Sequence, residues 1–325
     1  MRYLIAGAGA IGAYIGACMS RHGEDVVLFA RGPHFRAMNE RGVRVISGGE
    51  EFVVRPKVVD NLEHAGTVDV VFLGVKAHSL TDLAPRLQAV TGADTVFVST
   101  QNGIPWWYFQ NTGDRFEGLQ LDRVDPGGVI SRSIEPRRIL ASIVYFSTEI
   151  TEPGVIRHTE GNRISFGEPD GSRSDRCRQI AQVLIASGLR APITTRIRNE
   201  IWVKIMGNVA FNPISALTRA TLVEMVRDPD VSRLVRNIML EVEAVAREIG
   251  VEMPVSIEQR IAGAEKVGEH KTSMLQDLEA GRPMELDAIV GAVVELGERL
   301  KIPVPHCSAV YACTKLLSAN QRRIR

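Results

Sequence analysis

The sequence predicts an α/β fold, a Rossmann-type parallel-sheet domain followed by an all-α helical domain, and three observations predict it. A glycine-rich turn, Gly7-Ala8-Gly9-Ala10-Ile11-Gly12, joins the first apolar run to the first helical segment. Apolar runs through the first half are continuous rather than alternating, as in strands covered on both faces of a parallel sheet. From Gly171 onward the hydrophobic period changes from two to about 3.6, the helical period. At 325 residues the chain also exceeds what one hydrophobic core usually holds, so two domains are expected, 1–168 and 169–325.

The elements follow in order. Arg2 to Ala6 reads as a buried strand, and a helix runs from about Ile11 to His22 after the glycines. Asp25 to Ala30 is a second strand. Val43 to Ser47 and Phe52 to Val54 form a hairpin across Gly48-Gly49. Val68 to Val75 and Asp94 to Thr100 are two more apolar strands, with further strand-like pieces at Ile139–Ser147, Val155–His158 and Arg163–Phe166. Gly167-Glu168-Pro169-Asp170-Gly171 reads as a hinge. Helices are then expected over 173–187, 197–217, 230–249, 256–280, 284–300 and 306–322.

Composition excludes several classes. With 45% hydrophobic and 24% charged residues and a net charge of +1, the chain is an ordinary globular protein. No block of like charge is long enough for a nucleic-acid or membrane-surface partner. Cys18, Cys177, Cys307 and Cys313 form no CxxC pair and the seven histidines are scattered, so neither a disulfide framework nor a metal site is expected. Met1 to Met19 has the basic start and apolar stretch of a signal peptide. The ordered glycines and the polar turn Ser20-Arg21-His22-Gly23 make it a strand–helix unit instead. No apolar run reaches the roughly 18 residues of a membrane helix, and a soluble, cytoplasmic protein is expected.

The glycine turn sits where a dinucleotide would bind. Gly7 permits the tight turn, Gly9 lets backbone approach a pyrophosphate, and Gly12 allows the helix to pack on the strand. The cofactor-binding backbone thus runs from Gly7 through Ala8, Gly9, Ala10 and Ile11 to Gly12, with the helix N-terminus facing the phosphates. An NAD enzyme usually carries an acid at the end of the second strand for the ribose 2′-hydroxyl. This chain has Phe29-Ala30-Arg31-Gly32, and an arginine fork matches a 2′-phosphate. Arg31 therefore argues for NADP(H).

A second feature lies in Glu200–Asn212, which is apolar nearly all round and reads as a buried helix. Lys204, Asn208 and Asn212 recur every fourth residue and share one face. Such groups are costly to bury without partners, so they line a ligand cleft, form an internal polar network, or make a stripe on a half-exposed helix. The chemistry favours the first reading. Reducing a ketone needs a proton donor beside the oxygen, and a partly desolvated lysine supplies one. Lys76, after the Val68–Val75 strand, and Asn102, in the Gln101-Asn102-Gly103 turn, stand at the carboxyl ends of strands, where ligands bind in open sheets.

Together these pieces resemble the ketopantoate reductase (2-dehydropantoate 2-reductase) family. The resemblance rests on GAGAIG at 7–12, Arg31, VKA at 75–77, QNG at 101–103, NEIWVKIMGNVAFNPISAL at 199–217, HKTSMLQDLEAGRPMELDAI at 270–289 and IPVP at 302–305. It implies reduction of a 2-oxo acid, ketopantoate, to the D-hydroxy acid with NADPH, a step of pantothenate and coenzyme A biosynthesis. It implies Lys204 as the proton donor, Asn208, Asn212 and Ser273 as substrate ligands, Glu285 beside the nicotinamide ribose as a second catalytic group, and Asn102 and Lys76 as cofactor contacts. Asn102 also borders the substrate, and a homodimer is expected. Two departures stand out: Val290-Gly291 where the family commonly has Asn-Gly, and an aromatic stretch from Ile104-Pro105-Trp106-Trp107-Tyr108-Phe109 to Gly127-Gly128. That stretch reads as a packing cluster, a dimer contact, or a lid that would fit a bulkier 2-oxo acid. A 3-hydroxyacid dehydrogenase and a non-catalytic NADPH sensor are the competing readings. The asparagine spacing disfavours the first, and the retained Lys204 and Glu285 disfavour the second.

Overall fold

The computed structural model describes residues 1–323. The strands are β1 (Arg2–Ala6), β2 (Asp25–Phe29), β3 (Val43–Ser47), β4 (Glu50–Val54), β5 (Lys57–Val59), β6 (Val68–Leu73), β7 (Thr91–Ser99), β8 (Ile139–Val144), β9 (Ser147–Glu152), β10 (Val155–Glu160) and β11 (Ile164–Gly167). Among them run α1 (Ala10–His22), α2 (Gly32–Arg41), α3 (Ala77–Leu83) and α4 (Val129–Ser133). The chain ends in α5 (Asp175–Ala186), α6 (Ile197–Thr218), α7 (Leu222–Arg227), α8 (Pro229–Glu248), α9 (Ile257–Val267), α10 (Ser273–Glu279), α11 (Ala292–Leu300) and α12 (Pro305–Arg323).

The main sheet has the order β5-β2-β1-β6-β7-β8-β11. Its first six strands are parallel, and β11 runs antiparallel to β8. The strand order reverses between β1 and β6, the switch point at which dinucleotide-binding sheets hold their ligand. A second sheet, β4-β3-β10-β9, contains the expected hairpin, with Ser47 opposite Glu50. Helix α1 is buried along Gly12–Met19, and its Ile15 and Met19 share one core with Ile5 of β1, Val45 of β3 and Ile156 of β10. That burial by both sheets explains why α1 carries no charge before its last turn.

Three expectations are corrected. Strand β9 was not expected, because Ser-Thr-Glu-Ile-Thr-Glu is polar and most of it is exposed, so it lacks an apolar pattern. The helix expected over 256–280 is two helices. Gly268, in a positive-φ conformation (φ +81°), ends α9, and Thr272 starts α10 by accepting from the Leu275 N–H. The helix expected over 284–300 opens with a π-turn over Asp287–Gly291 before α11.

The chain forms two compact units. The first comprises Met1–Gln101, Trp107–Leu119 and Gly127–Ile197. It therefore continues past the hinge-like Gly167–Gly171. Cys177, Ile180 and Leu184 of α5 join the sheet's core, and the next segment pairs with β11 through Thr194 N–H to Phe166 O (2.8 Å) and Phe166 N–H to Pro192 O (2.9 Å). The second unit comprises Asn102–Trp106, Gln120–Pro126 and the residues from Arg198 onward, and it is helical from α6 to α12. Among the described residues no helix is long and apolar enough to cross a membrane. Trp106, Trp107, Tyr108 and Phe109 are all buried within the chain, and Trp107 donates its indole N–H to Ser99 (3.0 Å). Within the first unit, the Phe109 ring packs against Tyr108 and Phe116.

Candidate active site

In the first unit the glycine turn is built by contact. Gly7 has φ +112°, and a Cβ there would lie 2.7 Å from the Val75 nitrogen. A Cβ on Gly12 would run into the Gly7 carbonyl. Gly9 is different: a Cβ there would meet nothing within 4 Å, so the chain's own packing does not demand a glycine. Gly9 is the N-cap of α1, and no side chain caps that end. The first-turn N–H groups are left for an anionic ligand.

Beside this turn lies a cavity of about 240 Å³. It is lined by Gly7, Ala8 and Gly9 after β1, by Phe29, Ala30, Arg31 and His34 at and beyond the end of β2, and by Val75, Ser79, Asp82, Leu83 and Arg86 beyond β6. These groups follow β1, β2 and β6, so the cavity sits at the switch point. The positions 79, 82, 83 and 86 share a helical face. That periodicity was visible in the sequence, but nothing there said the face meets a cavity. His34 was missed as well. Its Nδ1 accepts from the Gly154 N–H (2.9 Å), so the ring proton is on Nε2. Burial pulls the His34 pKa down, against a smaller upward pull from the Ala8 carbonyl.

Arg31 is exposed at the N-cap of α2 and lines the cavity. Of the remaining backbone positions, Ala10, Ile11 and Gly12 form the first turn of α1 without lining the cavity. Lys76 is the half-buried N-cap of α3, next to the lining residue Val75.

In the second unit, α6 carries the polar stripe. Lys204 and Asn208 are half-buried, and Asn212 is only 5% exposed. The Asn212 Nδ2 makes no hydrogen bond among the described residues, and the same holds for the buried Nε1 of Trp106. Burial pulls the Lys204 ammonium down to about 8, and the Glu285 carboxylate opposes that shift. These two groups, named from distant parts of the sequence, feel each other electrostatically. Asn102 is half-buried in the loop that follows β7. That loop is pinned against the residues after Glu285: Ile104 N–H donates to the Ala288 carbonyl (2.9 Å), and a Cβ on Gly103 would collide with the same oxygen. Ser273 is exposed in the first turn of α10. The Glu285 carboxylate thus acts on Lys204, and Asn208 and Asn212 follow Lys204 along one face of α6.

Residues 3–171 match the ketopantoate reductase PanE/ApbA family, and residues 196–318 match the ketopantoate reductase PanE/ApbA C-terminal domain. The chain belongs to this ketopantoate reductase family. It is 46% identical to a 2-dehydropantoate 2-reductase of Mesorhizobium japonicum, over 99% of each chain. A solved PanE/ApbA-family ketopantoate reductase from Ralstonia eutropha superposes with a TM-score of 0.86 at 26% identity, covering 99% of this chain and 100% of that one. A D-mandelate dehydrogenase solved with NADH and anilino(oxo)acetate shares the fold, with a TM-score of 0.86 at 21% identity over 99% of both chains. As a ketopantoate reductase family member, the chain is an oxidoreductase using a nicotinamide dinucleotide on a small 2-oxo acid.

Proposed function

We propose that this chain reduces 2-dehydropantoate to D-pantoate with NADPH. One observation carries the reading: Lys204 is held beside Glu285 with its pKa drawn down to about 8. Such a lysine is about nine-tenths protonated at pH 7 yet releases its proton far more readily than a solvated one. When bound, NADPH supplies hydride to C2 of the 2-oxo acid. Lys204 gives its proton to the C2 oxygen and holds the negative charge developing there, leaving a neutral amine that solvent reprotonates. Glu285 keeps that amine charged between turnovers. Asn208 and Asn212 hold the substrate's hydroxyl and carboxylate, and the unpartnered Asn212 Nδ2 supports a ligand in that position. Ser273 and Asn102 complete the substrate contacts, and Asn102, Lys76 and Glu285 those to the cofactor.

NADPH rather than NADH is assigned on Arg31, since no acid stands at the end of β2 for a free 2′-hydroxyl. Gly9 and the uncapped first turn of α1 fit the pyrophosphate.

The test is NADPH oxidation with 2-dehydropantoate, pyruvate and bulkier 2-oxo acids. Turnover is expected to be fastest with 2-dehydropantoate. Lys204→Ala should lose roughly 100-fold or more in kcat while binding NADPH normally. Tight NADPH binding without turnover of any 2-oxo acid would replace the enzyme by a sensor.

A further inference from the structure

The cofactor cavity carries a second arginine that the glycine-loop pattern does not announce. Arg86, in the turn after α3, lines the same cavity as Arg31, and its guanidinium lies 5.5 Å from the centre of the Phe29 ring. Phe29 is the last residue of β2, buried, and two residues before Arg31. The ring contact therefore holds the Arg86 head over the end of the strand where a ribose 2′-substituent is read.

Neither guanidinium has a carboxylate within ion-pair distance among the described residues, whereas Arg44 pairs with Glu51, Arg178 with Asp175 and Arg233 with Asp230. Asp82 also lines the cavity, one turn before Arg86. With His34 neutral, the lining side chains carry two positive charges and one negative, a net +1. Two like charges facing one small cavity repel until an anion joins them. A 2′-phosphate, with close to two negative charges and three acceptor oxygens, is such an anion.

We infer that Arg86 and Arg31 form a two-arginine clamp on the 2′-phosphate of the cofactor, so that dinucleotide selectivity belongs to the pair rather than to Arg31 alone. This rests on the NADPH reading above. The clamp requires a planar donor from each of the two arginines that line the cavity. Arg31 is set by the N-cap of α2, and Arg86 by its seat on Phe29.

The test is calorimetric titration of the full chain and of Arg31→Gln, Arg86→Gln and Arg86→Lys with 2′,5′-ADP and with 5′-AMP, which differ only in the 2′-phosphate. Arg86→Gln should weaken 2′,5′-ADP by about tenfold or more and 5′-AMP by less than about twofold, the loss of one charge-assisted contact. Arg86→Lys should recover part of the difference, because a point charge replaces the fork. Equal weakening of both probes would mean that Arg86 serves the adenine or the 5′-phosphate, and would overturn the clamp. So would an unchanged Arg86→Gln beside an Arg31→Gln that still discriminates. If the unaltered chain bound both probes equally and Arg31→Gln did nothing, the NADPH reading itself would fall with it.

Discussion

At the scale of the residue, the Glu285 carboxylate acts on Lys204. The Glu285 carboxylate raises a lysine pKa that burial lowers to about 8. The proton donor is the ammonium, so reduction should fall as pH rises through about 8. Removing the carboxylate removes the upward pull, so Glu285→Gln should move the alkaline limb of the kcat profile to lower pH. A profile unmoved by Glu285→Gln would separate the two residues. Asn212 offers a complementary test. Its buried Nδ2 is unsatisfied among the described residues, and an unsatisfied buried donor costs about 1–3 kcal/mol. Asn212→Leu, of similar volume, should leave stability equal or higher in urea unfolding, while KM for the 2-oxo acid rises at least about tenfold. Lys204, Asn208 and Asn212 were legible because a four-residue period puts them on one face whatever surrounds the helix. Arg86 and His34 were not, because their meaning comes from Phe29, Gly154 and a cavity wall that only the fold assembles.

At the scale of the element, the glycine turn divides into positions that the chain needs and one that it does not. Gly9 has allowed backbone angles for any residue and open space where a side chain would go, whereas Gly12 is pressed against Gly7. Gly9→Ala should therefore change stability by less than about 0.5 kcal/mol and still weaken NADPH sharply, because the methyl group occupies the approach to the pyrophosphate. Gly12→Ala should lower the melting temperature. If Gly9→Ala bound NADPH unchanged, the phosphates would not lie on that turn. The strand–turn–helix unit was legible because its parts are contiguous and strongly patterned. The edge strand β9 was not, since half-exposed polar residues carry no periodic signal, and the break after Gly268 was overlooked inside an amphipathic run.

At the scale of the whole molecule, fold class was legible because continuous apolar runs and a later 3.6-residue period need only the chain's own order. The membership of segments was not. The stretch 102–126 contributes to the two units in alternation, with Trp107 bonded to Ser99 in one and the N–H groups of Asp122 and Arg123 held by the buried Glu295 in the other. Hydrophobicity alone does not say which core each piece enters. The cofactor cavity, by contrast, lies wholly within the first unit, so ligand-linked stability reads it directly. NADPH at 100 times its Kd should stabilise that unit by about 2.7 kcal/mol. If the arginines cost NADH a factor of about 100 in affinity, the same concentration of NADH should give only about 0.4 kcal/mol. Thermal unfolding followed with each cofactor decides the matter: a clear rise with NADPH and almost none with NADH is expected. Equal shifts would show that Arg31 does not discriminate the 2′-phosphate in the folded protein.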